Sequence, residues 1–437
     1  MASAHTRGAT TVSGTINLLN TIIGAGILAM PYAYKANGMV LGTGVIALAG
    51  LTAGFGLYLQ ALCASYVPKG HASFFAVAKH TYPSLAVLFD VAIAVKCFGV
   101  GVSYIIIIGD LMPQIAESVG VTHEYLLQRE FWVTVSMAVV GPLSYLRKLD
   151  SLKYTSLVAL VSVGYLVLIV VGHFLLGDTL PDRGEVRVLE PQGVSSMLSA
   201  LPVIIFAFTC HQNMFSVLNE LESTSEKSVL EMVLGSIGTS GAFYIVVGLA
   251  GYLSYGDNVG GNIIQMYPFS VFTTIGRLAI VIMVIFSYPL QCHPSRVSAN
   301  HVIHSIKRGI QKHRFTVVAS EDDSVYSDEE NQTPAIVAIP LETPTFFVLT
   351  TVILVLSYLL AMAVTSLEKM LAFVGATGST SISFILPGVF AYALLSKTKQ
   401  EGGLSAKETF IRYAAICLAV WGITVAVVCF LINIWLL

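Results

Sequence analysis

The chain has 437 residues, of which 55% are hydrophobic and 11% are charged, with a formal net charge of −2. Soluble globular domains carry about 25% charged residues, so this composition excludes that class and indicates an integral membrane protein. A helix that crosses a bilayer needs about 20 predominantly apolar residues. Eleven spans are predicted on this basis, over about residues 10–35, 39–66, 84–113, 130–146, 153–176, 195–220, 228–256, 269–298, 344–366, 369–396 and 409–436.

Lysine and arginine are divided unevenly between the two sides of the membrane. If the amino terminus is cytosolic, sixteen of the 23 basic residues fall in cytosolic segments and five on the opposite side, with Lys96 and Arg277 inside spans. Cytosolic loops carry the excess of basic residues. We therefore expect a short cytosolic amino terminus, residues 1–9, and a carboxyl terminus on the other side of the membrane.

The first span contains the sequence NTIIGAGILAMP, residues 20–31, which is poorly suited to a continuous helix. Irregular backbone at membrane depth is tolerated only where it is buried in protein or lines a polar cavity. Gly24 and Gly26 predict a break between half-helices at about 10–22 and 27–35. Freed N–H groups would attract a carboxylate there, and freed carbonyls an ammonium group. The alternative is that the glycines only allow a neighbouring helix to pack closely.

Lys96 lies in the third predicted span, where an ionisable side chain marks a functional hypothesis. It would supply a fixed positive charge in place of a cation, or exchange a proton during transport. The alternative is a structural lysine, although Asp90, six residues earlier, lies on another face of the helix. Arg277 in span 8 is expected near the non-cytosolic end, paired with Asp110 or Asp257.

A second break is predicted in span 6, LPVIIFAFTCHQNMFSVLNE (201–220), from its central polar residues 209–213. Many transporters place broken helices at corresponding positions of two inverted repeats. Five spans per repeat would make spans 1 and 6 antiparallel, with their breaks side by side. The repeats would be residues 10–176 and 195–396, and residues 409–437 would form an additional helix.

His211 lies within the predicted second break and is a side chain that titrates near neutral pH. It would relay a proton or gate the cavity; the alternative is a neutral imidazole that bonds the freed backbone. Cys210 with His211, and Cys292 with His293, are adjacent pairs whose side chains point about 100° apart on a helix. Neither pair chelates from regular helix, so we expect no metal site, and we expect no cofactor.

The longest connection between spans, about residues 299–343, begins basic and becomes acidic. This composition is typical of a disordered segment, which would be cytosolic in the predicted orientation. Ser324 and Ser327 precede acidic residues and are candidate phosphorylation sites, the alternative being an unmodified linker.

Span 10 contains an unusual concentration of hydroxyl side chains around two glycines. Hydroxyl groups can bond to their own helix without any function, but five within seven residues predict a face that lines a cavity. The five are Thr377, Ser379, Thr380, Ser381 and Ser383.

Four segments carry a family resemblance: NLLNTIIGAGILAMPYA (17–33), FAFTCHQNMFSVLNE (206–220), FSYPLQCHPSR (286–296) and VGATGSTSISFILPG (374–388). Together they resemble the amino acid/auxin permease family, and most of all its fungal vacuolar amino acid transporter (AVT) group. The resemblance implies an all-α polytopic membrane protein of eleven helices with the LeuT-type fold, a 5+5 inverted repeat plus one helix. It also implies alternating-access transport of amino acids across a vacuolar or lysosomal membrane, with protons as the coupling ion.

The resemblance further implies where substrate and ions bind. The substrate would lie between spans 1 and 6, with its carboxylate and amino groups on the backbone of span 1. Sodium-coupled relatives place ion-contacting side chains at the positions of Asn20 and Ser287. The predicted substrate-binding residues are Ile22, Ile23, Gly24, Ala25, Gly26, Phe206, Ala207, Phe208 and Thr209. The ion-coupling candidates are Asn20, Ser287, Lys96 and His211.

Three other functions were weighed against transport by proton coupling. Intramembrane aspartyl proteolysis is excluded because position 107 is isoleucine where the GxGD motif before Asp110 requires glycine, and no HExxH or GxSxG motif occurs. An amino acid sensor of the same fold and a sodium-coupled neutral amino acid transporter remain as alternatives. The expected partners are a free amino acid, a proton rather than sodium, and the lipid bilayer, with no nucleic acid and a functional monomer.

Overall fold

The computed structural model describes residues 9–83, 86–146, 155–319 and 341–435. These residues form helices, short loops and one isolated β-bridge between Ala9 and Leu221. In chain order the α-helices are α1 (Thr11–Ile22), α2 (Met30–Asn37), α3 (Met39–Ala64), α4 (Phe74–His80), α5 (Ala86–Ser118), α6 (Arg129–Ser144), α7 (Thr155–Leu176), α8 (Val194–Ala207), α9 (His211–Glu220), α10 (Glu226–Tyr255), α11 (Ile263–Met266), α12 (Val271–Ala319), α13 (Thr343–Ala363), α14 (Leu367–Val374), α15 (Leu386–Gly402) and α16 (Ala406–Trp435). The predicted all-α fold is confirmed.

Within the described ranges, nine helical segments are long and apolar enough to cross a membrane. The pair Thr11–Ile22 and Ala25–Asn37 forms a tenth span that is bent by 50°. The fourth predicted span corresponds to α6, which has 16 residues and is shorter than the about 20 that a membrane-crossing helix needs. The eleventh crossing therefore stays a prediction.

Helix α5 is the central helix of the bundle. Every residue from 99 to 109 is buried, whichever way its side chain points. A helix that is apolar on all sides is surrounded by other helices, and α5 packs against α6, α12, α13 and α14. Span 3, which corresponds to α5, therefore lies in the core of the helix bundle.

Helix α12 is longer than its predicted span, which ended near residue 298. It continues to Ala319, although the composition predicted a disordered linker from residue 299. The added segment contains two Lys, two Arg and one Gln, which are good helix formers. Near its start His301 Nδ1 lies 3.3 Å from Asp90 Oδ1. Residues 320–340, which include Ser324 and Ser327, lie outside the described residues.

The connection between α7 and α8 covers the end of the bundle where α2 ends. The Met39 N–H donates to the Arg187 carbonyl (3.0 Å), and the Arg187 side chain donates to Asp257 (2.5 Å) and to the carbonyl of Lys35 (3.3 Å). Lys35 Nζ in turn donates to the Val259 carbonyl (3.3 Å). These bonds join the end of α2 to the segment that follows α10 on this side of the bundle.

The predicted pairing of Arg277 with Asp110 or Asp257 is wrong. Arg277 is fully buried and donates instead to the carbonyls of Ile264 (3.3 Å) and Tyr267 (2.5 Å). Both aspartates pair with other arginines, Asp110 with Arg129 (3.6 Å) and Asp257 with Arg187. One of these carbonyls belongs to α11 and the other to the residue that follows it, and both reach Arg277 because this segment packs over the start of α12.

Candidate functional site

The predicted break in the first span is confirmed. Helix α1 ends at Ile22, and a short 3-10 helix over Ala25–Ala29 leads into α2. The Ile27 N–H donates to the Gly24 carbonyl (3.2 Å). The first N–H groups of a helix have no partner inside it, so the start of this second half offers donors at membrane depth.

The predicted break in span 6 is also confirmed, although that segment holds no glycine. Helix α8 ends at Ala207 and α9 begins at His211. The Thr209 hydroxyl donates to the Ile205 carbonyl (2.8 Å), so a side chain supports the end of the first half. Polar residues can stabilise such an interruption by bonding backbone that the helix no longer pairs.

The two breaks are in contact with each other. A Cβ atom at Gly26 would lie 2.7 Å from the Cβ of Ala207. The hydroxyl of Tyr244, on α10, lies 2.7 Å from the carbonyl oxygen of Ile22 and 2.8 Å from that of Ala207. Tyr244 is not among the predicted site residues, because a single tyrosine in an apolar span does not reveal which helices it faces.

A cavity of about 440 Å³ lies beside Gly24, between α1, α5, α7, α9 and α12. None of the residues that line it is Asp, Glu, Lys or Arg. They lie before the break in the first span and after the break in span 6, so the cavity is on the side where α1 begins. The polar side chains in its wall include Asn17, Asn20, Thr21, Gln212, Asn213, Ser216, Ser287 and Gln291.

Only part of the predicted substrate site faces this cavity. Ile23 and Gly24 line it, and so do the ion-coupling candidates Asn20 and Ser287. The other predicted substrate residues are buried behind it: Ile22, Ala25, Gly26, Phe206, Ala207, Phe208 and Thr209. Tyr104 also lines the cavity and is not among the predicted residues; its hydroxyl lies 3.9 Å from a Cβ built at Gly24.

Two amide oxygens in the cavity wall lack a partner. Asn20 Oδ1 and Gln212 Oε1 are buried and have no hydrogen bond among the described residues. Buried polar atoms are nearly always satisfied by protein, water or a ligand. Nearby, Asn213 Nδ2 donates to Thr21 Oγ1 (2.9 Å), which joins α1 to α9. The cavity therefore offers acceptors to a molecule that carries N–H or O–H groups.

His211 and Lys96 lie outside this cavity. His211 Nε2 is 3.1 Å from the Ala53 carbonyl, and its Nδ1 is 3.1 Å from Ser383 Oγ. A carbonyl only accepts, so Nε2 carries hydrogen and Nδ1 accepts from Ser383. Lys96 is also buried, and a Cβ at Gly378 would lie 2.8 Å from its Cβ. The two candidates belong to a second polar region between α5, α9 and the span that contains α14.

None of the five hydroxyl groups of span 10 lines the cavity beside Gly24, so a cavity-lining role for that face stays a prediction. The span forms two π-helical turns, Gly375–Ser379 and Ser381–Ile385. Thr377 and Ser381 donate to carbonyls of their own helix, each at 2.8 Å. Single π-helical turns within α-helices are frequently found at functional sites.

Comparison with known proteins agrees with this architecture. The vacuolar amino acid transporter 5 of Schizosaccharomyces pombe is 44% identical over 99% of this chain and 96% of its own length. The vacuolar amino acid transporter 6 of Saccharomyces cerevisiae is 43% identical over 95% of this chain and 97% of its own length. The crystal structure of MhsT in complex with L-phenylalanine matches with a TM-score of 0.57 and 13% identity, over 94% of this chain and 98% of that one. This last similarity confirms the LeuT-type fold.

Residues 7–432 match the family described as transmembrane amino acid transporter protein. The match covers both broken spans and all the residues that line the cavity. The predicted relationship to the amino acid/auxin permeases and their fungal vacuolar group is confirmed, as is the prediction that the protein is not an enzyme. The chain belongs to the transmembrane amino acid transporter protein family.

Proposed function

We propose that this chain moves free amino acids across the vacuolar membrane by alternating access, coupled to protons. The names of its fungal relatives, vacuolar amino acid transporters 5 and 6, support the substrate class and the location. The excess of basic residues supports a cytosolic amino terminus and a lumenal carboxyl terminus. The protein would act as a monomer, since both broken spans and the cavity between them belong to one chain.

The observation that carries this proposal is the polar cavity beside the break at Gly24. A substrate carboxylate would be held by N–H groups at the start of the 3-10 helix, where the helix dipole favours an anion. The carbonyls of Ile22 and Ala207 already bond to Tyr244. The ammonium group would therefore donate to the amide oxygens of Asn20 and Gln212, which have no other partner among the described residues.

The proposed coupling to protons rests on which groups line the cavity. Hard metal cations in proteins are held mainly by carboxylate and carbonyl oxygens, and no carboxylate lines this cavity. Asn20 and Ser287, the positions at which sodium-coupled relatives contact the ion, offer oxygen atoms but no negative charge to balance a bound sodium ion. Proton transfer instead requires a titratable group: His293 lines the cavity, and the buried His211 and Lys96 lie next to the second break.

Uptake into proteoliposomes tests the proposal. The purified protein is reconstituted and supplied with a radiolabelled mixture of L-amino acids, under a pH gradient or a sodium gradient. We expect accumulation with the pH gradient alone, up to about tenfold per pH unit for each coupled proton, since one unit corresponds to about 1.36 kcal/mol. Strict dependence on sodium would overturn the proton assignment, and binding without accumulation would favour a sensor.

A further inference from the structure

The hydroxyl of Tyr244 lies between the last carbonyls of two half-helices. Helix α1 ends at Ile22 and α8 ends at Ala207, and the phenolic oxygen is 2.7 Å and 2.8 Å from their carbonyl oxygens. Tyr244 is fully buried, and the ring of Phe208 packs against it edge-on, with 5.1 Å between the ring centroids. The contact therefore joins three helices at the point where both breaks occur.

The two carbonyl oxygens have one hydroxyl hydrogen between them. A phenol carries one hydrogen, and a carbonyl oxygen can only accept. Tyr244 can therefore donate to one carbonyl, or share its hydrogen between the two, but it cannot satisfy both fully. The next donors in a regular helix would be the N–H groups of Gly26 and His211, which lie beyond the breaks. The two carbonyl oxygens therefore share one hydrogen-bond donor, and together they could still accept a further donor or a cation.

The electrostatics of the two helix ends also favour a cation at this point. The carboxyl end of a helix carries a partial negative charge, and two such ends meet at this point. In transporters with broken helices, unwound carbonyls and the carboxyl ends of half-helices coordinate sodium ions or protons. Carbonyl oxygens can also replace the hydration shell of an alkali cation. A small monovalent cation would fit the chemistry of these two carbonyls if the hydroxyl were removed.

We propose that the Tyr244 hydroxyl occupies a latent alkali-cation position between the two breaks. Its O–H group does there what a bound sodium ion would otherwise do, which is to hold the carbonyls of Ile22 and Ala207 together. This inference rests on the proposed function in one respect, that the breaks form the transport site. It deepens that function by giving a physical reason why the chain needs no sodium at this point.

Two substitutions of Tyr244 and one matched control test the inference. Tyr244→Phe removes the hydroxyl that donates to the carbonyls of Ile22 and Ala207, and Tyr244→Ser also opens space for an ion with water. Tyr255→Phe is the control, because Tyr255 is buried on the same helix and donates to a single carbonyl, that of Met266 (2.8 Å). The melting temperature of each purified protein is measured in sodium, lithium or choline chloride at equal ionic strength. Uptake of the labelled amino acid mixture is measured in proteoliposomes.

The expected results separate a latent ion site from an ordinary buried hydrogen bond. Sodium or lithium raises the melting temperature of Tyr244→Ser above its value in choline, and by more than in the wild type or Tyr255→Phe. Tyr244→Phe lowers uptake by about tenfold, since a buried acceptor without a donor is costly. An equal response of Tyr244→Ser and the wild type to alkali cations would overturn the inference. If Tyr244→Ser does not fold in any salt, Tyr244→Phe decides the question. An uptake by Tyr244→Phe equal to that of the wild type would then overturn the inference.

Failure of the proposed function gives a different result. If the wild-type protein accumulates no amino acid, the transport proposal fails, but the melting temperatures of Tyr244→Ser still decide whether a cation binds. If wild-type uptake requires sodium, the proton assignment fails. In that case an extra response of Tyr244→Ser to sodium, beyond that of the wild type, still supports the latent position.

Discussion

Gly26 and Ala207 are in van der Waals contact, and each belongs to one of the two broken spans. A Cβ atom at position 26 would lie 2.7 Å from the Ala207 Cβ and 2.9 Å from its Cα. Backbone atoms cannot yield as the end of a flexible side chain can. The breaks therefore approach each other because position 26 carries no side chain, whereas the nearest atom to a Cβ at Gly24 is 3.9 Å away.

We expect Gly26→Ala to destabilise the protein by about 1–3 kcal/mol, the usual cost of adding a carbon to a packed interior. The added methyl group would push the two breaks apart, so uptake should fall as well. Thermal unfolding of the purified protein measures the first effect. Gly44→Ala is the control, because no atom lies within 4 Å of a Cβ at that position. Equal melting temperatures for the two variants would contradict the contact.

Gly24→Val should abolish uptake while leaving the fold intact. The nearest atom to a Cβ at position 24 is the Tyr104 hydroxyl, at 3.9 Å, so the first atom of the side chain enters the cavity without a clash. There it would occupy the space assigned to the substrate carboxylate. Uptake and size-exclusion profiles are compared with those of the wild type. Normal uptake by Gly24→Val would refute the proposed site.

The positions of both breaks could be predicted from the sequence, because glycines at 24 and 26 and polar residues at 209–213 disfavour a continuous apolar helix. The partners of those breaks could not be predicted. Tyr244 meets them only because α10 is rotated to face α1 and α8, and no periodic pattern reveals that rotation. The rotation of span 10 is equally hidden in the sequence, so its five hydroxyl groups could not be placed relative to the cavity beside Gly24, which they do not line.

Arg187→Ala should loosen the side of the bundle opposite the cavity. Its hydrogen bond to Asp257 is the main cause of the raised pKa of Arg187. A basic group whose pKa is higher in the folded protein than in the unfolded chain stabilises the fold. The stabilisation is complete below the pKa of the unfolded chain and is lost as the pH rises through the pKa of the folded protein. Arginine stays protonated throughout the range from pH 5 to pH 8, so the contribution of Arg187 is constant over that range.

Hydrogen–deuterium exchange measures this loosening. The N–H groups of Asp257 and Val259 are bonded to the carbonyls of Glu185 and Gly256. Partly exposed ion pairs contribute up to about 1 kcal/mol, so exchange in this segment should be about fivefold faster in Arg187→Ala. Unchanged exchange, or an effect confined to one end of the pH range, would argue against a role for the pair in closing this side.

Lys96→Met and His211→Asn test the two titratable candidates for proton coupling that lie next to the second break. If either group carries the coupled proton, its replacement should abolish accumulation driven by a pH gradient, while exchange of labelled for unlabelled amino acid continues. His173→Asn is the control, because His173 pairs with Asp178 (2.7 Å) away from both breaks. Gradient-driven uptake that survives both substitutions would exclude these two residues as the proton carriers.

The central claim is that the broken spans 1 and 6 hold the amino acid between them. A density map of the purified protein, prepared with a saturating mixture of amino acids, tests this claim most directly. We expect ligand density in the cavity beside Gly24, within hydrogen-bonding distance of the amide groups of Asn20 and Gln212. Ligand density elsewhere, with this cavity filled only by water at matched resolution, would contradict the claim.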